Sequence, residues 1–126
     1  MMTSWTSDEL TKIGKADILR IASLRRDGTL RNPVPIWVVR LGDDLYVRSV
    51  NGREAAWFRG VQARHEGHIQ AGGVEKDVTF VEADDDAALN DRIDAEYRAK
   101  YGYPSGPVSH ITSAAARAAT IQLVPR

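Results

Sequence analysis

Two prolines stand at the beginning of an apolar run in the segment RNPVPIWVVR, residues 31–40. Proline holds φ at about −65° and has no backbone N–H, so it is rare in the central strands of a sheet. A strand that carries Pro33 and Pro35 therefore lies at a covered sheet edge, or it keeps its face free for a flat ligand. Either case constrains the fold to a sheet with a special edge at these residues.

Alternating apolar and polar residues around this segment predict an antiparallel meander of three strands. Asp27-Gly28 and the run at residues 42–44 are turn sequences that separate the strands. Apolar residues recur at helical spacing in residues 51–67 and 85–102, and the latter segment places Tyr97 and Tyr101 on one face.

The predicted order is a helix in residues 1–16, three strands, a helix, two strands, a helix and a final strand. Six strands with hairpin connections and outer helices indicate a single α+β domain, an antiparallel barrel of six strands with peripheral helices. Residues 17–124 form this barrel with its helices, and no linker or repeat divides the 126-residue chain.

The composition excludes several classes of function. The formal net charge is zero, which argues against a nucleic-acid-binding protein. The chain has no cysteine, so disulfides and thiol chemistry are excluded. The first residues lack the basic region and the apolar stretch of a secretory signal, and no apolar run approaches the roughly 20 residues of a membrane span. We therefore expect a cytoplasmic protein that does not bind membranes.

The segment YVRSVNGREAAWF, residues 46–58, is a candidate phosphate site. A strand ends at Arg48 and Ser49, a turn follows at Asn51 and Gly52, and Arg53 begins the predicted helix. Free N–H groups at a helix start, a hydroxyl and two guanidinium groups together suit a phosphate. A plain Asn-Gly turn without function is the alternative.

The proline segment is a second candidate site. After the prolines, the backbone of Pro35, Ile36 and Trp37 can bind the polar edge of a planar ring if it is not fully paired. The alternative is a covered edge with Trp37 in the core. Tyr103 and His110, which flank a proline-rich loop, are candidate pocket residues.

The histidine motif HEGH at residues 65–68 is a weak metal motif. Its spacing places no third ligand, so no metal site is predicted.

Taken together, residues 17–124 resemble the flavin- and deazaflavin-binding split-barrel superfamily, within it the deazaflavin-dependent nitroreductase branch and its small relatives. The residues that carry the resemblance are Arg31-Asn32-Pro33, Ser49 with Asn51-Gly52, Trp57-Phe58 and Ala63-Arg64. The fold implied is an FMN-binding type of split barrel.

The resemblance also implies a cofactor and an activity. An FMN or deazaflavin ring would lie against the strand at Pro33 to Trp37, with Pro35, Ile36 and Trp37 at the ring edge, and its phosphate would lie at Arg48 to Arg53. The protein would be a small homodimeric oxidoreductase that orients the cofactor for hydride transfer to a quinone, a nitro compound or an enone. Deazaflavin-binding relatives carry a lysine- and glycine-rich loop before the second strand. This chain has RRDGTLR there, where Arg25, Arg26 and Arg31 are possible substitutes.

Two other interpretations stay open. The same fold could serve as a cofactor-free protein that binds a small ligand. It could also be a cofactor-independent isomerase or eliminase, with His110 or Glu82 as the base. The sequence assigns no catalytic residue.

Overall fold

A single antiparallel sheet of seven strands organises the computed structural model, which describes residues 4–101 and 110–126. The strands are β1 (Leu19–Ser23), β2 (Val34–Ile36), β3 (Val38–Leu41), β4 (Asp44–Arg48), β5 (Glu66–Ala71), β6 (Val74–Glu82) and β7 (Thr120–Pro125). The helices are α1 (Ser7–Lys15), α2 (Ala56–Arg64), α3 (Ala87–Tyr101) and α4 (Ala114–Arg117), and a 3₁₀ turn spans Gly52–Glu54. Within these described ranges, no helix has the length and apolar character needed to cross a membrane.

The strand order, β2-β1-β5-β6-β7-β4-β3, makes the sheet a nearly closed barrel. Its two outer strands, β2 and β3, follow each other in the chain and are separated only by Trp37. The remaining gap in the barrel therefore lies at Trp37. The expected α+β split barrel is confirmed, but with seven strands rather than six. The predicted second strand is broken at Trp37 because its first half pairs with β1 and its second half with β4.

Both predicted turns of the meander are present. In the first, Gly28 has a φ of +88°, and the flanking strands pair Leu19 with Ile36. In the second, Gly42 has a φ of +63° and Leu41 pairs with Asp44. Positive φ is the conformation that favours glycine, which explains why these two turns could be recognised from sequence.

The core has two parts, one inside the barrel and one between the sheet and α3. Strand β4 contributes to both, because successive side chains of a strand point to opposite faces. Leu45 and Val47 lie inside the barrel, whereas Tyr46 packs with Ile93 and Tyr97 on the α3 side. The two faces of β4 therefore contribute to different parts of the core, and the tyrosine face of α3 packs against one of them.

The start of α2 differs from the prediction. Ala55 has an extended conformation, with φ −60° and ψ +138°, and the helix begins only at Ala56. Arg53 accordingly lies in the 3₁₀ turn rather than at the start of the α-helix. The N-cap residue Ala55 provides no side-chain hydrogen bond to the first turn of α2. The first N–H groups of this helix therefore lack the usual cap.

Candidate functional site

An apolar cavity of about 300 Å³ lies beside the gap in the barrel. It brings together the proline segment, the end of β4 and His110, which are far apart in the sequence. Its lining residues are Ile18, Pro35, Ile36, Trp37, Arg48, Val50, His110 and Ile111. Tyr103, the other candidate pocket residue, lies outside the described residues. The volume is at the lower end of the range of roughly 300–1,000 Å³ seen for small-molecule sites.

Arg48 borders this cavity but is fully buried, and its guanidinium group is bound by the protein itself. Its Nε donates to Thr120 Oγ1 at 2.9 Å, and its Nη2 donates to Asn90 O and Oδ1 at 3.1 and 2.9 Å. Its Nη1 donates to the Asp94 carboxylate and to Ile111 O. These five acceptors match the five N–H donors of arginine. No donor remains for a phosphate, which departs from the expectation for this residue.

Arg53 is also neutralised by nearby protein groups. Its Nη2 donates to Glu82 Oε1 at 2.8 Å, its Nη1 donates to Ala118 O at 2.7 Å, and the Asp84 carboxylate lies 3.8 Å away. Arg53, with a smaller contribution from His65, holds the pKa of Glu82 below its ordinary value. Glu82 does not line the apolar cavity, and a lowered pKa makes a carboxylate a weaker base.

The other predicted phosphate residues are scattered around the same turn. Gly52 has a φ of +74°, and a Cβ at this position would lie 3.3 Å from Ala115 O, so only glycine fits well. Ser49 is buried, and its Oγ has no partner among the residues described here. Asn51 is exposed and its side chain caps no helix. The predicted cradle is therefore not assembled, since both of its guanidinium groups are bound elsewhere.

A second, cationic cavity of about 260 Å³ also borders β2, through Val34. Ser23 lies in its wall, 4% exposed, and its Oγ has no hydrogen-bond partner in the described part of the chain. The uncapped start of α2 forms another wall. The lining residues are Ile21, Ser23, Arg25, Arg31, Asn32, Val34, Ala56 and Trp57. Two arginines, a buried serine and the first residues of α2 thus line one cavity.

The two arginines of the cationic cavity differ in whether their side chains are already hydrogen-bonded to the protein. Arg25 donates to Leu30 O at 3.0 Å, whereas the Arg31 side chain has no hydrogen bond to any residue in the described ranges. A Cβ built on Gly60 would lie 2.5 Å from Ser23 Oγ and 3.0 Å from Arg31 Nε. Gly60 in α2 therefore makes room for both groups. Sequence reasoning named Arg25 and Arg31 as substitutes but missed Ser23, whose signal was a hydroxyl on the apolar face of β1.

The two histidines of the HEGH motif lie on different elements, His65 at the end of α2 and His68 in β5. His65 is in the left-handed conformation at the end of α2, with Nε2 3.5 Å from Glu82 Oε2. His68 lies between Asp77 and Glu75, with ring nitrogens 3.0 and 3.2 Å from their carboxylates. Asp77 is the main cause of the raised pKa of His68. The described residues contain no cluster of metal-ligating side chains.

The strand order and the gap at Trp37 define a split-barrel α+β domain, and solved structures with the same fold confirm this class. A Listeria innocua protein provisionally described as a pyridoxamine 5′-phosphate oxidase is 15% identical, with a TM-score of 0.67 over 93% of this chain and 90% of that chain. An F420 reductase is 15% identical in sequence, with a TM-score of 0.57 over 93% of this chain and 90% of that chain. A FAD-binding protein from Mesorhizobium loti is 16% identical in sequence, with a TM-score of 0.59 over 100% of this chain and 94% of that chain.

At these identities the likeness concerns the fold alone. The chain belongs to the family described as "Uncharacterized protein conserved in bacteria (DUF2255)", whose model matches residues 9–123. No curated protein matches the sequence.

Proposed function

We propose that this protein is a small oxidoreductase that binds FMN or a deazaflavin coenzyme and reduces a quinone, a nitro compound or an enone. The observation that carries the proposal is the presence of one apolar and one cationic cavity along the same short strand, β2. A flavin-type cofactor has a planar ring and a phosphate, which match these two environments. The F420 reductase and the FAD-binding protein of the same fold support a cofactor of this kind.

The apolar cavity would hold the ring. Its walls at Pro35, Ile36 and Trp37 belong to an outer strand whose partner in the sheet is β1. One edge of β2 is therefore not used by the sheet, and Pro35 contributes no N–H to it. The bound ring would supply hydride to the substrate. Trp37, Ile36 and Ile18 would exclude water and fix the plane of the ring.

The cationic cavity would hold the phosphate. Among the residues that the structure describes, no group pairs with the Arg31 guanidinium or with the buried Ser23 hydroxyl, and no side chain caps the start of α2. Hydrogen bonds from charged donors to phosphate oxygens are stronger than those between neutral groups. This assignment moves the phosphate from the segment at Arg48 and Arg53 to the segment at Arg25 and Arg31.

A cofactor-free protein that binds a small apolar ligand is the second candidate. It is favoured by one observation, the engagement of both Arg48 and Arg53 by protein acceptors. Such a protein would use the apolar cavity alone and would purify without colour.

The proposal includes a homodimer. Ile18 and Val50 line the apolar cavity and are 42% and 48% exposed, so a second copy could cover them. Sedimentation should then give twice the mass of the 13.9 kDa chain, and a species of 13.9 kDa would contradict the dimer.

The cofactor is tested by calorimetric titration with FMN and, separately, with the deazaflavin coenzyme. We expect micromolar binding of one of them. Arg31→Ala should weaken binding by about 1.5–3 kcal/mol, the value of a hydrogen bond to a charged group. Arg53→Ala is the matched control and should leave the dissociation constant unchanged. Binding of neither cofactor would leave the cofactor-free candidate, and the opposite ranking of the two variants would return the phosphate to Arg53.

A further inference from the structure

A third cavity, of about 510 Å³, lies between α1, β3 and α3. It shares no lining residue with the two cavities at β2. Its walls are Leu10, Thr11, Gly14, Lys15, Val39, Arg40, Glu96, Ala99 and Lys100. We call it the helix cavity. Three cationic side chains and a single carboxylate face this space, so it favours a ligand that carries negative charge.

Lys100 is the unusual residue of the helix cavity. It is half-buried at the end of α3, and its Nζ donates to Val38 O at 2.7 Å. Lys12 and Lys76 are ion-paired with Asp8 and Glu9 at 3.0 and 2.9 Å. Lys100 has no carboxylate within ion-pair distance in the part of the chain that the structure describes.

Burial without a counter-charge disfavours the ammonium form. It lowers the pKa of Lys100 to about 8, although the charge of Asp17 acts in the opposite direction. In about a tenth of the molecules, Lys100 is then a neutral amine at pH 7. A neutral amine in a cavity is the form of lysine that attacks carbonyl carbon.

The cations beside Lys100 can hold an anionic group. Lys15 is exposed at the end of α1, and Arg40 uses its Nε for a hydrogen bond to Gly42 O at 2.8 Å. The two terminal nitrogens of Arg40 make no further hydrogen bond within the described ranges. A guanidinium group with two free nitrogens suits a carboxylate or a phosphate.

We propose that the helix cavity captures a small aldehyde or ketone that carries a carboxylate or phosphate, and that Lys100 binds its carbonyl carbon as an imine. The Lys100 nitrogen attacks the carbonyl carbon and a carbon–nitrogen bond forms. The carbonyl oxygen then leaves as water with the two hydrogens of the neutral amine. No redox partner is needed, so this site is independent of the function proposed for the cavities at β2.

The test uses glyoxylate as the anionic aldehyde and sodium cyanoborohydride to reduce the imine. The chain has four lysines, so peptide mass spectrometry can assign each trapped adduct. We expect Lys100 to be the main site on the folded wild-type protein, at least tenfold ahead of Lys12 and Lys76. Denatured protein should lose this preference.

The pH dependence separates a buried amine from an exposed one. The initial rate of trapping at Lys100 should rise with a midpoint near pH 8, because that is where burial places its pKa. The other charged groups in the cavity wall are Lys15, Arg40 and Glu96, the charge of Asp17 also acts on Lys100, and the Tyr101 ring lies 4.9 Å from its Nζ. A midpoint at the value of free lysine would contradict the proposal.

Matched variants test the anion subsite. Lys15→Gln should raise the glyoxylate concentration for half-maximal trapping several-fold, whereas Lys12→Gln, on the same helix but outside the cavity, should not. Lys100→Arg keeps a donor for Val38 O and should abolish the dominant adduct. Uniform labelling of the four lysines, or equal trapping of glyoxylate and uncharged propionaldehyde, would overturn the proposal.

Discussion

Tyr101 at the end of α3 stacks on Trp37, with ring centroids 4.2 Å apart and planes inclined by 3°. Trp37 is the residue at which the strand breaks and the barrel opens. The Tyr101 hydroxyl accepts from Val38 N at 3.2 Å and lies 2.9 Å from Asp17 O. Tyr97 donates to Trp37 O at 3.3 Å. The two tyrosines therefore cover the gap and satisfy backbone groups that no neighbouring strand reaches.

Tyr101→Phe should keep the ring stack but leave Val38 N–H without its acceptor. We expect a loss of about 1–2 kcal/mol of unfolding free energy, the cost of an unsatisfied buried donor. Urea denaturation followed by tryptophan fluorescence measures this. Tyr97→Phe removes a longer hydrogen bond and serves as the comparison. A loss that is larger for Tyr97→Phe than for Tyr101→Phe would contradict the assigned role.

Asp94→Asn should destabilise the protein strongly. Asp94 is 5% exposed and accepts from both Arg48 and Arg117. Removal of its charge leaves the Arg48 guanidinium buried without a counter-ion, which costs about 3–5 kcal/mol. Asp91→Asn is the control, because Asp91 pairs with Arg117 from a side chain that is 72% exposed. That change should cost less than about 1 kcal/mol in the same urea titration.

His68→Gln should change how stability depends on pH. Asp77 and Glu75 raise the pKa of folded His68 above 6.5. The attraction between protonated His68 and these two carboxylates therefore contributes stability below the pKa of His68 in the unfolded chain. The contribution is lost as the pH rises through the folded pKa. The wild type should exceed the variant by under about 1 kcal/mol at pH 5.5, because the carboxylates are exposed. At pH 8.5 the difference should vanish, and a constant difference would refute the coupling.

Gly67→Ala should prevent normal pairing of β1 and β5. A Cβ at Gly67 would lie 2.1 Å from Ala22 O and 2.8 Å from the Phe80 ring. The backbone oxygen cannot move without breaking the sheet, so we expect a loss of about 3 kcal/mol or more. Gly14→Ala, whose Cβ would lie 3.4 Å from the Arg40 side chain, is the control and should be neutral or stabilising by up to about 1 kcal/mol. Equal losses in thermal unfolding would contradict this reading.

Local chemistry was sufficient to predict much of the fold. The turn at Gly28, the first helix and the faces of β4 follow from signals within a few residues of each other. Thr6 and Glu9 form the reciprocal capping hydrogen bonds that such a sequence predicts. The break at Trp37 has no turn signal of its own, because its immediate neighbours Ile36 and Val38 are equally suited to a strand. Its position is decided by barrel closure, which pairs each side with a different strand.

The candidate site was harder to predict for the same reason. Arg48 has the spacing of a residue on the outer face of a strand, where exposure is the ordinary expectation. Its partners Asn90 and Asp94 are 42 and 46 residues further along the chain, on a helix whose position depends on the whole fold. Arg53 is bound by Glu82 in the same way, at a separation of 29 residues. The sign of a side chain's charge can be read from the sequence, whereas the group that pairs with it depends on the tertiary structure.

The two outer strands of the sheet, β2 and β3, follow each other directly in the chain. This arrangement has a consequence for the protein in a crowded cell. Open sheet edges invite strands of other molecules, and within residues 4–101 and 110–126 this sheet is open only at the short gap at Trp37. The aromatic residues of α3 occupy it. Protection against edge-to-edge aggregation therefore depends on the docking of a single helix. Release of α3, with the rest of the barrel intact, would expose both ends of the sheet at once and create a template for strand addition.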